Sequence, residues 1–331
     1  MRKKNIVTIG GGTGSFVLLS GLKKYPVNIS AIVSMADDGG SAGVLRDELG
    51  VLPPGDVRQC LVALCDSSEM LRNLMNYRFE NGGLCGHSFG NLFLSALEKM
   101  NKSFSKGVEE AIKILNIKGE VIPVSEGNMR LHIKINNGKV IVGENNLDHN
   151  EEIRKFGIKE IFLKPKAKAC KKAIDRIKKA DFIIIGPGDL YGSILPNFMV
   201  EGIGEAVEKS KSKIILNCNL TNKKGQNEGF DLDKYVKILN DHIGKKKIDF
   251  VVFNKEKMPD KLVKKYEKKE GAGSVVILNK NKKDRDYRIV LANILDNKKI
   301  KEIKKDVIAD SRSFIRHDGE KLAKALMKII K

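Results

Sequence analysis

One hexapeptide near the start of the chain constrains the fold more than any other feature of the sequence. It consists of Gly10, Gly11, Gly12, Thr13, Gly14 and Ser15. A short apolar run at residues 5–9 precedes it, apolar side chains at helical spacing follow at residues 16–22, and a second apolar run lies at 29–34. Strand, glycine turn, helix and strand in this order form a βαβ unit, whose two strands lie parallel.

The second half of the chain returns to this alternation of strands and helices. Runs of strand length at residues 182–185, 214–217 and 250–253 are apolar except for the final Asn217, and Asp318 is placed to cap a final helix. Strands that are apolar at every position are buried on both faces. We therefore predict an α/β fold with a mostly parallel sheet that helices cover on both sides.

Residues 119–164 follow a different pattern. Short strand-like runs at 130–135 and 139–142 flank an Asn-Asn-Gly turn, which predicts an antiparallel hairpin. A further short strand is predicted at 121–124. Because no long linker or internal repeat divides the chain, we interpret 119–164 as a small antiparallel β insertion within one domain that spans residues 1–331.

The formal net charge of +20 raises the question of nucleic-acid binding, but its distribution argues against a dedicated site. Residues 1–100 hold 10 Lys and Arg against 9 Asp and Glu, whereas residues 241–331 hold 26 against 14. The excess is mostly Lys interleaved with acidic residues and Asn, without the aromatic residues of a base-stacking surface. We expect a solvated Lys-rich surface and no dedicated nucleic-acid partner.

The apolar segments and the cysteines indicate the cellular compartment of the protein. No stretch reaches the roughly 18 apolar residues that a membrane helix needs, and no small-residue cleavage site follows the basic N-terminus. The five cysteines form no C-x-x-C pair, which is typical of free thiols in a reducing compartment. We expect a cytoplasmic protein without membrane insertion.

The glycine hexapeptide has the composition of a phosphate-binding loop. Glycines let backbone N–H groups approach an anion closely, and the start of a helix adds a favourable dipole. Gly10 and Gly12 match the first two glycines of a dinucleotide-binding fingerprint, whereas Ser15 takes the position of the third. The alternative is a tight turn whose glycines serve packing alone.

Two carboxylates, Asp37 and Asp38, follow the second strand, and Ser41 stands just behind them. Ligands of doubly wound sheets bind outside the carboxyl ends of the strands. These side chains are therefore candidates to hold ribose or sugar hydroxyls, to bind Mg2+, or to take a proton from an acceptor hydroxyl. The alternative is turn formation, with Asp38 capping the next helix.

Two later turns also lead into helices. Asp56 follows a Pro-Pro-Gly turn and is either the N-cap of its helix or a ligand residue. His87, Ser88 and Asn91 stand at another helix start, where such side chains bind anions and hydroxyls. His87 is a candidate acid or base, with a structural role as the alternative, and no catalytic residue is assigned.

A second glycine turn follows the strand at residues 182–185. It consists of Gly186, Pro187 and Gly188, with Asp189 directly behind them. We predict a second ligand-facing loop here, and the alternative is a simple strand-to-helix turn. Asn217 ends the next strand and is a further candidate for the same site.

Taken together, these loops resemble the gluconeogenesis factor family, the YvcK-like branch of the CofD-like superfamily. The motifs that carry the resemblance are GGGTG at 10–14, ADDGGS at 36–41, PPGD at 53–56, RFE at 78–80, GHSFGN at 86–91, GPG at 186–188 and IRHD at 315–318. They occur in the family's order and cover nearly the whole chain. In place of Asp189 the family more usually has Ser, and an extra carboxylate would repel a phosphate unless a cation or hydroxyl intervenes.

The resemblance implies a three-layer, Rossmann-like doubly wound fold and a cytoplasmic bacterial protein. It implies a UDP-sugar as ligand, or an NAD-like dinucleotide in the same groove, and a role in cell shape and envelope synthesis during growth on gluconeogenic carbon sources. The CofD branch instead transfers a phospholactyl group onto a deazaflavin alcohol with Mg2+, and its acidic loop corresponds to Asp37 and Asp38. We also expect a homo-oligomer and a protein partner in envelope synthesis.

The motifs support a nucleotide-sugar-binding regulator and a CofD-type transferase equally, because both functions need a cradle for a diphosphate. The branch favours the regulator. The absence of a dedicated nucleophile in the motifs also favours the regulator, since a transferase would take its acceptor hydroxyl from the substrate.

Overall fold

The computed structural model describes residues 2–245, 247–282, 284–296 and 315–331. Its central element is a seven-stranded sheet in which every pair of neighbouring strands is parallel. The strands are β1 (Asn5–Gly10), β2 (Asn28–Val33), β3 (Glu120–Pro123), β7 (Phe182–Ile185), β8 (Lys213–Asn217), β9 (Phe250–Asn254) and β10 (Arg288–Ala292), in the spatial order β10-β9-β8-β7-β1-β2-β3.

Helices cover both faces of this sheet. Consecutive residues Ile183, Ile184 and Ile185 are fully buried although they point to opposite faces, as the continuous apolar run predicts. The helices are α1 (Gly12–Leu22), α2 (Gly40–Leu49), α3 (Gly55–Leu64), α4 (Glu69–Asn76), α5 (Phe89–Asn101), α6 (Phe104–Leu115), α7 (Asn146–His149), α8 (Glu151–Phe156), α9 (Lys171–Lys179), α10 (Leu195–Met199), α11 (Ile203–Lys209), α12 (Leu232–Ile243), α13 (Asp260–Glu270) and α14 (Gly319–Ile330). The predicted α/β fold is confirmed, and none of the helices that the structure describes is long and apolar enough to cross a membrane.

A second, antiparallel sheet of three strands stands beside the main one. It contains β4 (Arg130–Ile135), β5 (Val140–Val142) and β6 (Ile158–Lys164) in the order β5-β4-β6. The predicted hairpin at residues 136–138 joins β4 to β5, as expected. The strand predicted at 121–124 differs, because β3 pairs in parallel with β2 at the edge of the main sheet. Its fully buried apolar run suits that sheet, whereas β4 alternates between buried and half-buried residues.

The order of the strands creates a crevice at the carboxyl end of β1. The chain leaves β1 toward β2 on one side, whereas β7 lies on the other side, with Ile9 paired to both Ile32 and Ile185. The connections that follow β1 and β7 therefore run to opposite sides of the sheet, to β2 and to β8, although the two loops begin next to each other. Such a topological switch point is where doubly wound sheets bind their ligands.

Candidate functional site

The two glycine loops, residues 10–15 and 186–189, lie in contact at the switch point. A Cβ atom on Gly14 would overlap the carbonyl group of Pro187, so the start of α1 approaches the second loop as closely as backbone allows. Asn217 donates from Nδ2 to the carbonyl oxygen of Gly186 at 2.9 Å and holds the second loop in place. These contacts explain why glycine is needed at position 14 even without a ligand.

A cavity of about 280 Å³ opens between the two loops. Six of the residues predicted from the sequence line it, namely Gly11, Thr13, Gly14, Pro187, Gly188 and Asp189. The remaining wall includes side chains that the sequence analysis did not assign to the site, among them Ser193, Lys223, Tyr266 and Arg316. Arg316 belongs to the IRHD motif, but Lys223 and Tyr266 lie in segments without any recognisable pattern.

Lys223 supplies the cation that the second loop requires. Its ammonium lies 2.8 Å from Oδ2 of Asp189 and 2.6 Å from Oδ1 of Asp148, a residue of α7. Burial alone raises the pKa of Asp189, but the Lys223 ammonium and two backbone N–H donors hold it below its usual value. Asp189 thus has a counter-charge within the protein, which it shares with Asp148, and its repulsion of an anionic ligand is reduced.

Asp56 faces the first glycine loop and does not cap its helix. The N-cap of α3 is Pro54, so the capping role expected for Asp56 is not what the structure has. Its carboxylate instead packs against Gly11 and accepts the backbone N–H of Gly12, which has a φ of +63°. Burial, followed by the negative charge of Asp37, raises the pKa of Asp56 well above its usual value.

The paired carboxylates of the acidic loop point in different directions. Asp37 accepts the N–H of Gly39 at 3.0 Å and lies against Gly55, whereas Asp38 accepts the N–H of Asn145 at 2.8 Å. Burial, opposed in part by that N–H donor, and repulsion from Asp38 raise the pKa of Asp37 to about 6. Neither side chain lines the cavity, and Gly39 rather than Asp38 occupies the N-cap of α2.

Glu144 is a third carboxylate of this region that the sequence analysis missed. It lies in the segment between β5 and α7 and packs against Gly192, close to the second glycine loop. Burial, followed by the charges of Asp37 and Asp189, raises its pKa well above the usual value. Glu144 could not be predicted from nearby residues, because it belongs to the insertion and only the tertiary fold brings it to the site.

Ser41, His87 and Asn91 form a buried hydrogen-bonded chain beside the cavity. Oγ of Ser41 lies 3.1 Å from Nδ1 of His87 and accepts from Nδ2 of Asn91 at 3.1 Å. Asn91 in turn accepts from Nε of Arg58 at 2.9 Å. The fold thus joins three predicted residues from two distant motifs, but outside the cavity wall. Ser88 acts as the N-cap of α5.

The remaining predicted residues of the two glycine loops lie outside the cavity wall. Gly10 ends β1, Ser15 is buried in α1 directly beneath Gly10, and Gly186 has a φ of +65°. Among the residues that the structure describes, no group of three His, Cys, Asp or Glu side chains is arranged to hold a metal ion. Because Mg2+ is commonly held by one or two carboxylates together with ligand phosphates, it would need the ligand to complete its coordination here.

Comparison with known proteins places this geometry in one family. The family model for 2-phospho-L-lactate transferase CofD matches residues 6–295. The gluconeogenesis factor of Bacillus subtilis is 40% identical over 100% of this chain and 99% of its own length, and that of Halalkalibacterium halodurans is 39% identical over 99% and 97%. A crystal structure of a Bacillus halodurans protein, 38% identical, superposes with a TM-score of 0.87 and covers 98% of this chain and 100% of that one.

Proposed function

The chain belongs to the CofD family, with gluconeogenesis factors as its relatives, and we propose that it binds a UDP-sugar between the two glycine loops. The observation that carries the proposal is the cavity at the switch point, which both loops and Lys223 line. In this proposal the protein is a binding regulator whose loaded state supports cell shape and envelope synthesis during growth on gluconeogenic carbon.

The wall of the cavity suits a nucleoside diphosphate. The start of α1 offers a helix dipole to the ligand, apart from the Gly12 N–H that Asp56 accepts, and Arg316 adds positive charge. The charge of Lys223 is already shared by Asp148 and Asp189. Tyr266 contributes an aromatic ring of the size that a base can stack on. The volume of about 280 Å³ is near the lower end of small-molecule sites, roughly 300–1,000 Å³, so part of the ligand would extend beyond the cavity.

The acidic side of the first loop is where the sugar would extend. Asp56 borders Gly11 and Gly12, and Asp37 lies next to it against Gly55. Carboxylates commonly accept hydrogen bonds from sugar hydroxyls, and bonds to a charged group contribute about 1.5–3 kcal/mol each. The same carboxylates repel a diphosphate, which is the reason to expect Mg2+ between them.

Calorimetry and thermal unfolding test the proposal directly. UDP-glucose and UDP-N-acetylglucosamine should raise the melting temperature more than UMP, GDP or NAD, because a ligand at a hundredfold excess over its Kd stabilises the native state by about 2.7 kcal/mol. Replacing Arg316 by Ala should weaken UDP-sugar binding at least about tenfold, the equivalent of about 1.4 kcal/mol. Arg288→Ala, at an exposed strand position, is the matched control and should bind normally. Tighter binding of NAD than of any UDP-sugar would contradict the proposed ligand and would show that the cavity binds a dinucleotide.

The regulatory part of the proposal requires a cell-based experiment. The chain should restore growth on a gluconeogenic carbon source to a Bacillus subtilis strain that lacks its own gluconeogenesis factor, and Arg316→Ala should not. If a variant that no longer binds UDP-sugars restored growth equally well, the role in growth would not depend on UDP-sugar binding.

A CofD-type transferase is the second candidate, favoured by the buried carboxylate of Asp56 and the half-buried one of Asp37 beside the first glycine loop. Such a carboxylate could take the proton of an acceptor hydroxyl. Phospholactyl transfer to a deazaflavin alcohol by the purified protein, lost in Asp37→Asn while nucleotide affinity survives, would establish this activity instead.

A further inference from the structure

A groove of about 780 Å³ lies at the opposite end of the sheet from the nucleotide cavity. The amino-terminal ends of β1, β2 and β3 form its floor. Six cationic side chains line it, namely Lys3, Lys23, Lys24, Lys118, Arg176 and Lys179. Because α1 is 11 residues long and reaches from one site to the other, about 16 Å of helix separates the groove from the glycine loop.

The one carboxylate of the groove wall, Glu120, is already neutralised. It accepts from Nε of Arg176 at 2.6 Å and from Oγ of Ser30 at 3.1 Å, and the Lys172 ammonium lies 3.3 Å away. Burial alone raises its pKa, but the Arg176 guanidinium holds the pKa of Glu120 below its usual value. Glu120 therefore leaves no negative charge in the groove to compensate the lysines.

Two of the other cations have acidic partners outside the groove. Lys24 pairs with Glu320, and Lys118 pairs with Asp66 at 3.1 Å. Lys3, Lys23 and Lys179 form no ion pair with any carboxylate of the described residues. Burial and the neighbouring cations Arg72 and Lys118 lower the pKa of Lys23, which agrees with an excess of positive charge here.

Helix ends offset only part of this excess. Residues Lys23 and Lys179 stand at the carboxyl ends of α1 and α9, and Lys23 donates to the carbonyl oxygen of Cys65 at the end of α3. Each helix end carries roughly half a negative charge, so three of them offset fewer than two lysines. Asp181, which accepts the N–H of Asn5 at the edge of the groove, is itself paired with Arg2, so the groove keeps a net positive charge.

We propose that this groove is a second binding site, for a small polyanion that carries at least two phosphate or carboxylate groups. Concavity distinguishes it from the Lys-rich surface elsewhere, since cations that face one space act on the same bound charge. Tyr25 and Val27 add apolar surface to the wall, which suits an organic anion. Nothing in this assignment depends on what binds between the glycine loops.

Calorimetric titration at low ionic strength tests the site, with pyrophosphate and citrate as the probes for its two anion classes. Both titrations are run with and without excess UDP-glucose, and the variants assign the binding to the groove whatever occupies the nucleotide cavity. We expect wild-type protein to bind one equivalent of a probe, and the double variant Lys3→Gln, Lys179→Gln to bind it at least tenfold more weakly. Both lysines are exposed, so the variant should fold normally.

The control is the double variant Lys209→Gln, Lys237→Gln, which removes two exposed lysines from other helices. It should bind like the wild type. Absence of binding to wild-type protein, equal weakening in both double variants, or competition by UDP-glucose would each overturn the proposal. Binding of poly-glutamate more tightly than of either small anion would overturn it too, because the groove would then be a surface for an acidic protein segment.

Discussion

The ammonium of Lys223 lies 2.8 Å from the carboxylate of Asp189, on the wall of the cavity between the two glycine loops. The same ammonium also pairs with Asp148 in α7, between β5 and β6 of the antiparallel sheet. One half-buried cation thus joins the second glycine loop to the insertion and offsets part of the negative charge of the two carboxylates. The relationship also explains how a carboxylate is tolerated next to a candidate phosphate site.

Replacing Lys223 by Met should destabilise the protein. The change leaves Asp148 and Asp189 without their shared counter-charge. These side chains are 18–28% exposed, so the cost should lie between about 1 kcal/mol for an exposed pair and about 3–5 kcal/mol for a fully buried one. Urea unfolding measures the effect. The control is Lys237→Met, which removes an exposed pair with Asp241 and should cost no more than about 1 kcal/mol. Equal stability of the two variants would contradict the structural role of Lys223.

Replacing Gly14 by Ala should destabilise the fold with or without ligand. The new methyl group would overlap the backbone of Pro187, which cannot move aside as a flexible side chain can. Overpacking of this kind typically costs about 1–3 kcal/mol. Gly83→Ala is the control, since no atom lies within 4 Å of its Cβ position and its φ is not positive. If both variants unfold at the urea concentration of the wild type, the two loops are not packed as described.

Stability should depend on pH through Asp37. Burial raises the pKa of Asp37 to about 6 from its ordinary 3.8, so the native state holds the proton more tightly than the unfolded chain does. The contribution to the free energy of unfolding is therefore greatest at low pH and falls as the pH rises from about 4 to 6. Asp37→Asn should raise the melting temperature above that of the wild type at pH 7.5, and this gain should shrink toward pH 4.

The exposed Asp241→Asn variant controls for a general effect of removing an acid. Its difference from the wild type should change little over the same pH range. A gain in Asp37→Asn that grows on acidification would have the wrong sign and would show that the Asp37 carboxylate is stabilised by its surroundings.

Mg2+ should strengthen UDP-sugar binding. Asp56 and Asp37 border the first glycine loop, and two carboxylates beside a diphosphate repel it unless a cation intervenes. Calorimetry with Mg2+ or with EDTA measures the effect, which should be smaller in Asp56→Asn. Uridine, which has no phosphate, serves as the control ligand. Identical UDP-sugar affinity with Mg2+ and with EDTA would show that the phosphates lie away from these carboxylates.

Local features of the sequence predicted much of the framework. The hairpin between β4 and β5 forms at its Asn-Asn-Gly turn, and Asp318 caps α14 by accepting the N–H groups of Glu320 and Lys321. Both depend on residues a few positions apart, so composition and spacing suffice to indicate them. The buried strands are equally local, because an unbroken apolar run is its own signal.

The site was predictable only in part. The glycine loops could be recognised because clustered glycines indicate a close approach between the backbone and another group. In the structure the two loops contact each other, at Gly14 and Pro187. Asp56 was assigned to the site for its motif, but its expected N-cap role was wrong, since a carboxylate in the first turn of a helix can face either its own backbone or a neighbouring loop. Lys223 and Glu144 carry no pattern at all.

The sequence by itself determined which segments become strands, helices and glycine turns, since hydrogen bonding and apolar periodicity act over a few residues. Only the tertiary structure decided that β7 pairs with β1, that β3 joins the parallel sheet, and that the loops after β1 and β7 face each other. These choices depend on which distant surfaces bury the most apolar area together. The ion pairs of Lys223 follow from them, because charges brought together in a buried space must be neutralised there.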